Sequence, residues 1–283
     1  MDLIVGLLFR DRLVHISQMQ ESCSRSPSTS DAGGGAETLG RLTRRQRLSW
    51  ITHLAKATLR RHHRSLTSTF KRYIPTDATV LDVGAHAGQF SKLFAGLASG
   101  GRVYAFEPSN YARSILIRAL RWNRIENVEI LPFGLSDVSG TAILKTPLTA
   151  SGSLGFGRAR FSADVDGVYL SQPAMLRTLD DFVKARDLTR IDFIKIDVEG
   201  WEMHVLRGGL RSLERFRPTL FLEVSEEWLA HAGEAPEAIW GLLTQLGYGA
   251  SRLGSVNEEA PSFTPTSSYA GSGDYLFTMP DVT

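Results

Sequence analysis

Val80-Leu81-Asp82-Val83-Gly84-Ala85-His86-Ala87-Gly88-Gln89-Phe90 decides the fold of this chain. An apolar run ends in an acid, a glycine follows, and a second glycine opens a helix. This is the pattern of a strand turning into a helix at the carboxyl edge of an open α/β sheet, where such sheets bind ligands. Gly84 lets the turn approach a ligand closely, and Gly88 lets the helix start tight against the strand. Asp82 ends the strand. The dinucleotide fingerprint is G-x-G-x-x-G, and here His86 stands where its second glycine would be. Bulk at that position keeps a pyrophosphate off the backbone, so the loop suits a cofactor without phosphates and a nicotinamide dehydrogenase is disfavoured.

Working outward, short apolar runs alternate with helical stretches. Strands are expected at Thr79–Val83, Arg102–Phe106, Val128–Pro132, Ile191–Asp197 and Leu220–Val224. Helices are expected at Phe90–Ala98, Tyr111–Trp122 and about Glu202–Phe216. Continuous apolar strands separated by helices read as a parallel sheet covered on both faces. Ser251–Leu253 and Tyr275–Met279 are expected to pair as antiparallel edge strands, joined by a polar loop over Gly254–Asp274.

The second strand ends at Glu107, 25 residues after Asp82, and Pro108 stops it. An acid there accepts hydrogen bonds from ribose hydroxyls, which points to a nucleoside-containing cofactor. After the third strand come Ser136 and Asp137, placed where either side chain could bond an adenine amino group or simply form a turn. The fourth strand carries Lys195, Asp197 and Glu199 on one face, if it continues that far, with Ile194, Ile196 and Val198 on the other. Charges at the end of a central strand are costly unless paired or used. They form either a structural Lys195–Asp197 ion pair or a polar site, with Glu223 ending the next strand beside them.

Together these motifs resemble the FkbM family of S-adenosylmethionine-dependent methyltransferases. The resemblance rests on Asp82-x-Gly84-x-x-x-Gly88, Phe106-Glu107-Pro108, Thr178-Leu179-Asp180-Asp181-Phe182, and Lys195-x-Asp197-x-Glu199-Gly200-x-Glu202 with Leu206-Arg207-Gly208. It covers roughly Ala78 to Glu223 and implies an α/β, Rossmann-like class I methyltransferase fold. That fold has a seven-stranded, mostly parallel sheet in the order 3-2-1-4-5-7-6, an antiparallel edge strand, and helices on both faces. It implies S-adenosylmethionine as cofactor and a hydroxyl of a small molecule, sugar or glycan as acceptor. Gly84 and Gly88 then border the methionine part, with Asp82 and His86 in the same loop. Glu107 holds the ribose, Ser136 and Asp137 lie near the base, and Asp197 is near the reacting centre. His86 replaces an asparagine common in the family, and Ala119 stands where another asparagine is common.

The expected catalytic set is Asp197 or Glu199 as the group that orients the hydroxyl and takes its proton, Lys195 as its tuner, and Glu223 in a secondary place. A divalent metal held by Asp197, Glu199 and Glu223 is an open alternative that is not favoured, and no residue is assigned as a metal ligand. N-methylation, and a non-catalytic module that binds cofactor or partner, are the other readings. Acceptor choice is expected to lie in residues 146–175, which include the glycine-rich Ser151–Gly157, and in the 254–274 loop.

Composition bounds what remains. The 283 residues are 42% hydrophobic and 22% charged, as in an ordinary globular protein. The one cysteine, Cys23, excludes an intrachain disulfide framework and fits a reducing, cytoplasmic setting. Leu3–Phe9 is too short to span a bilayer. The net charge of +2 hides a division. Residues 41–72 carry ten basic and no acidic side chains, whereas residues 73–283 carry 19 basic and 25 acidic ones. The expected organisation is a flexible segment and linker over residues 1–40, a basic helical cap over 41–76, and the methyltransferase domain over 77–283. The cap is a candidate for peripheral contact with an anionic surface. No nucleic-acid-binding signature accompanies it, so no nucleic-acid partner is expected.

Overall fold

The computed structural model describes residues 43–59, 63–148, 155, 159–161, 168–254 and 261–280. Leu3–Phe9, the 1–40 segment and most of Ser151–Gly157 lie outside the described residues. The first described helix is α1 (Arg44–Leu59), followed after a 3-10 turn by the short α2 (Thr67–Phe70). Strand β1 (Thr79–Val83) then enters the centre of the molecule. Its alternating side chains go to opposite faces, Val80 to one core and Leu81 and Val83 to the other. That division requires helices on both sides.

They come in order: α3 (Gln89–Leu97), β2 (Arg102–Phe106), α4 (Asn110–Trp122) and β3 (Val128–Leu131). Next is an insertion of β4 (Phe133–Leu135), β5 (Gly140–Pro147) and β6 (Tyr169–Arg177), a three-stranded sheet in the order β4-β6-β5. The main fold resumes with α5 (Leu179–Ala185), β7 (Phe193–Ile196), α6 (Glu202–Arg207), α7 (Leu210–Phe216) and β8 (Thr219–Val224). It ends with α8 (Glu226–His231), α9 (Pro236–Gln245), β9 (Gly249–Leu253), β10 (Phe263–Thr266) and β11 (Gly273–Thr278).

The main sheet runs β10-β9-β11-β8-β7-β1-β2-β3. Strands β3, β2, β1, β7 and β8 are mutually parallel, and β11 lies antiparallel between β8 and β9. The expected seven-strand order is therefore present, with β10 added as an eighth strand at the edge.

Three expectations are corrected. Residues 263–266 form a strand within what reads as a polar loop, because Phe263 packs against Phe221 and the segment pairs with β9. The helix from Glu202 to Phe216 is broken at Gly208-Gly209. A Cβ on Gly208 would meet the Ser136 backbone oxygen at 2.0 Å, and one on Gly209 would meet Leu179 at 2.7 Å, so the chain uses two glycines to pass closely there. Strand β7 ends at Ile196, before Asp197, because Glu199 and Gly200 turn with positive φ.

The basic segment is joined to the body in two ways. Trp50 of α1 is buried against α4, with its Nε1 donating to Ser114 Oγ at 2.9 Å. Further on, Leu66, Phe70 and Ile74 are buried in the same core as Phe94, Phe193 and Phe221. Phe70 is fully buried and meets Phe90, Phe94, Phe193 and Phe221 with ring centroids 5.0–6.4 Å apart. Phe70→Ala is accordingly expected to cost about 3–5 kcal/mol, and truncation through Arg72 to do at least as much damage. Equilibrium urea unfolding checks this: a midpoint unchanged by Phe70→Ala would contradict the packing.

Candidate functional site

At the carboxyl end of β1 the chain turns sharply. Gly84 and Gly88 take φ of 77° and 83°, and His86 between them takes 58°. Few residues with a Cβ adopt this left-handed region readily, but asparagine, aspartate and histidine are enriched there, so His86 serves where asparagine would. The backbone N–H groups of Gly84 and Ala85 both donate to the Phe106 carbonyl, tying the turn to β2. A Cβ on Gly84 would lie 1.9 Å from the Asp197 carbonyl oxygen, and one on Gly88 would lie 2.4 Å from Leu116 Cδ1. Gly84 thus allows the ends of β1 and β7 to close together, while Gly88 starts α3 against α4.

Glu107 faces this turn from the end of β2. Its Oε2 accepts from the His86 N–H at 2.8 Å, and its Oε1 accepts from the Ser109 N–H at 2.7 Å. Burial pushes its pKa up to about 7, against the two backbone hydrogen bonds that favour the anion. The carboxylate is thereby held by the main chain alone, with lone pairs left for a ligand's hydroxyl groups. His86 is held neutral, its pKa lowered to about 4 mainly by burial.

Lys195 links the two central strand ends. It is buried, and its Nζ donates to the Gly84 carbonyl at 2.9 Å and lies 3.1 Å from Asp197 and 3.6 Å from Asp82. Burial alone would discharge the ammonium, but the charges of Asp197 and Asp82 raise its pKa and keep it protonated. Asp82 is fully buried, and its Oδ2 accepts from Ser91 Oγ at 2.5 Å. Asp197 is partly open, with 30% of its side chain accessible. Burial works against its anion, yet Lys195 and a hydrogen bond with Glu223 hold its pKa below the usual carboxylate range.

Glu223 shows the opposite shift. The neighbouring Asp197 charge, and then the partial desolvation of a side chain that stays exposed, push it up to about 9, so at neutral pH it keeps its proton and shares it with Asp197. Asp274 lies directly across from Glu223 in the β8–β11 register, its pKa raised by burial and by Asp197 to about 6. Glu199 sits in a left-handed turn whose geometry is set by Glu202. Glu202 is buried, and its Oε1 accepts from the Val198 and Gly200 N–H groups at 3.2 Å each.

These pieces line a cavity of about 330 Å³, of the size that takes a small ligand. Gly84, His86, Glu107, Lys195, Asp197, Glu199 and Glu223 all border it. Asp82, Gly88, Ser136 and Asp137 do not. Asp82 lies beneath the floor on Lys195, Gly88 acts in helix packing, and Ser136 is buried with its hydroxyl bonded to Trp201 Nε1 and Asp137 Oδ1. A direct contact with a base from Ser136 or Asp137 would therefore need the cavity to extend beyond its present lining.

The structure adds wall residues that sequence reasoning did not single out: His63, Phe90, Phe161 and Asp274. Ala159, Phe161 and Asp274 belong to the two segments expected to govern acceptor choice. Asp274 had a usable signal, an acid at the start of the strand expected to pair late in the chain. His63, which stacks on Phe90 at 4.1 Å, had none. No group of three or more His, Cys, Asp or Glu side chains converges to hold a metal ion among the described residues.

The set fits a nucleoside sulfonium. Glu107 supplies a fixed acceptor for ribose hydroxyls, Gly84 leaves the turn open, and the carboxylates of Asp197, Glu199 and Asp274 beside one tied lysine favour a positively charged ligand. Among the described residues no helix is long and apolar enough to cross a membrane.

Comparison with known proteins points the same way. The family model described as a methyltransferase FkbM domain matches residues 82–249. The 2-O-methyltransferase NoeI of Sinorhizobium fredii is 26% identical over 192 residues, covering 64% of this chain and 76% of NoeI. The methyltransferase sdnD of Sordaria araneosa is 26% identical over 163 residues, 48% of this chain and 61% of sdnD. The AMB antimetabolite synthetase AmbE of Pseudomonas aeruginosa is 33% identical over 165 residues, 48% of this chain but 8% of AmbE. The chain thus spans less than two thirds of the length of AmbE and of sdnD.

The raised Glu223 makes a stability prediction. A carboxyl that binds its proton more tightly folded than unfolded adds stability below its ordinary value of 4.5, and that contribution is lost as pH rises towards about 9. Glu223→Gln should therefore flatten the decline of stability between pH 5 and pH 9 (about the two values bracketing this shift), read from urea midpoints across that range. A variant that declines in parallel with the unmodified protein would show that Glu223 is not the group responsible.

Proposed function

The chain belongs to the FkbM methyltransferase family, and on that premise we propose that it transfers the methyl group of S-adenosylmethionine to a hydroxyl oxygen of a small metabolite, sugar or glycan. The observation that carries this reading is the placing of the main-chain-held Glu107 and the ion-paired Asp197 on one small cavity, on either side of the Gly84 turn.

When bound, S-adenosylmethionine supplies an electrophilic methyl group on a good leaving group. Everything else falls to the protein. Glu107 is the residue to accept hydrogen bonds from the ribose, its direction fixed by the His86 and Ser109 amides. Positioning supplies much of the rate in a displacement of this kind, and the site is built for it. Lys195 ties the Gly84 carbonyl to Asp197, so the cofactor side and the acceptor side keep one geometry.

Asp197 stays ionised and offers an oxygen to the acceptor hydroxyl. It is a weak base, but an alcohol oxygen gaining a bond to carbon becomes strongly acidic, so a weak base suffices to take its proton. Glu223, protonated, steadies the Asp197 anion, and Glu199 stands beside it as the second candidate for the same role. The relative NoeI is a 2-O-methyltransferase by name, which supports oxygen as the acceptor atom. The protein is expected to work on its acceptor in the cytoplasm.

Two substitutions test the assignment. Glu107→Gln should weaken S-adenosylmethionine binding about 10- to 100-fold in calorimetric titration. Asp197→Asn should leave that binding within a few-fold yet lower turnover about 100-fold or more. Turnover is read with labelled cofactor, against sugars, glycolipids and polyketide-like alcohols. Full turnover by Asp197→Asn would remove it from the role, and normal cofactor binding by Glu107→Gln would remove the ribose contact.

A further inference from the structure

The helix α1 is apolar on two sides. Trp50 and Ala57 are buried against α4, which accounts for one side. Leu48, Ile51, Ala55 and Leu59 are spaced by three, four and four residues, so they form a stripe along another face. Leu48 is 67% exposed, Ile51 48% and Leu59 72%. Arg44 continues the stripe at its amino end, Arg45 and Lys56 flank it on one side and Arg47 on the other, all exposed. At the carboxyl end of the helix, Asn123 Nδ2 donates to the Thr58 carbonyl and brings the end of α4 alongside. That end presents Trp122, 44% exposed, between the exposed Arg121 and Arg124. Neither α1 nor α4 contains an acidic residue.

Large apolar side chains rimmed by cationic ones, with tryptophan at the margin, suit contact with a membrane interface. The aliphatic groups enter the acyl boundary, and the arginines and lysine meet anionic headgroups. A nucleic acid offers the arginines the same phosphates but gives Leu48, Ile51 and Leu59 nothing apolar to enter. We propose that the α1 stripe, with Trp122 at its end, docks this protein on an anionic lipid bilayer surface. The complementarity is of both kinds, charge and hydrophobicity, on one helix. Lys56 and Leu59 lie just before His63, which borders the cavity, so the docking face and the cavity wall are neighbours in the chain.

Flotation of the full chain with lipid vesicles tests this. Binding is expected to vesicles containing phosphatidylglycerol, to fall sharply as salt is raised, and to be near absent on pure phosphatidylcholine. Leu48→Ser/Ile51→Ser/Leu59→Ser should weaken binding to the anionic vesicles by about tenfold or more. Arg44→Glu/Lys56→Glu should weaken it by roughly tenfold or more. If the triple variant fails to fold, as read by its thermal midpoint, the charge variant decides. Three results overturn the proposal: equal binding to neutral and anionic vesicles, unchanged binding by a folded variant, or binding to single-stranded RNA but not to vesicles. Self-association abolished by the triple variant, with no vesicle binding, would assign the stripe to a second copy of the chain instead.

Discussion

The site depends on one buried ammonium. Lys195 ties together the Gly84 carbonyl at the end of β1, the Asp82 carboxylate beneath it, and the Asp197 carboxylate at the end of its own strand. A lone charge at the centre of a sheet would be prohibitively destabilised, and two carboxylates without it would repel. With it, the two central parallel strands end in a fixed arrangement, and the Gly84 turn is closed onto Asp197. The arrangement also settles who holds protons. Asp197 remains an anion because Lys195 faces it, and Glu223 remains neutral because Asp197 does.

The acidic lining follows the same logic. Asp197, Glu199 and Asp274 border one cavity beside the protonated Glu223, and among the described residues that line it the one lysine is already engaged. An anionic ligand would meet repulsion there, and a sulfonium or a neutral hydroxyl compound would not. The positive charge of the molecule is concentrated elsewhere, on α1 and the residues that follow it. Two electrostatic regions of opposite sign are thus built from different parts of the chain, and a net charge of +2 records neither.

The strand–helix alternation and the glycine turn were legible because each rests on local signals: apolar continuity, glycine spacing and acids at strand ends. The seven-strand order was not local; it came with the resemblance to the FkbM family. The extra strand β10 was not, because Phe263 is one apolar residue in a polar segment and its burial depends on Phe221, a distant partner. The break at Gly208 has a physical cause only when Ser136 is seen to approach it. Within the site, Glu107 and Lys195 were readable from their places at strand ends. Asp82 read as a cavity residue but lies below it, since strand alternation does not reveal depth. His63 was unreadable, because nothing in a basic segment marks a histidine that stacks across on Phe90.

Phe70 has a consequence for how the chain acquires its structure. The aromatic cluster around it takes members from Phe90, Phe94, Phe193 and Phe221, and Phe263 closes on Phe221. The cluster as a whole therefore runs from Phe70 to Phe263 along the sequence, the kind of non-local packing that slows folding. During synthesis, Phe70 leaves the ribosome long before Phe221 does. The growing chain therefore carries this ring without its final cover until the strand that holds Phe221 has been made.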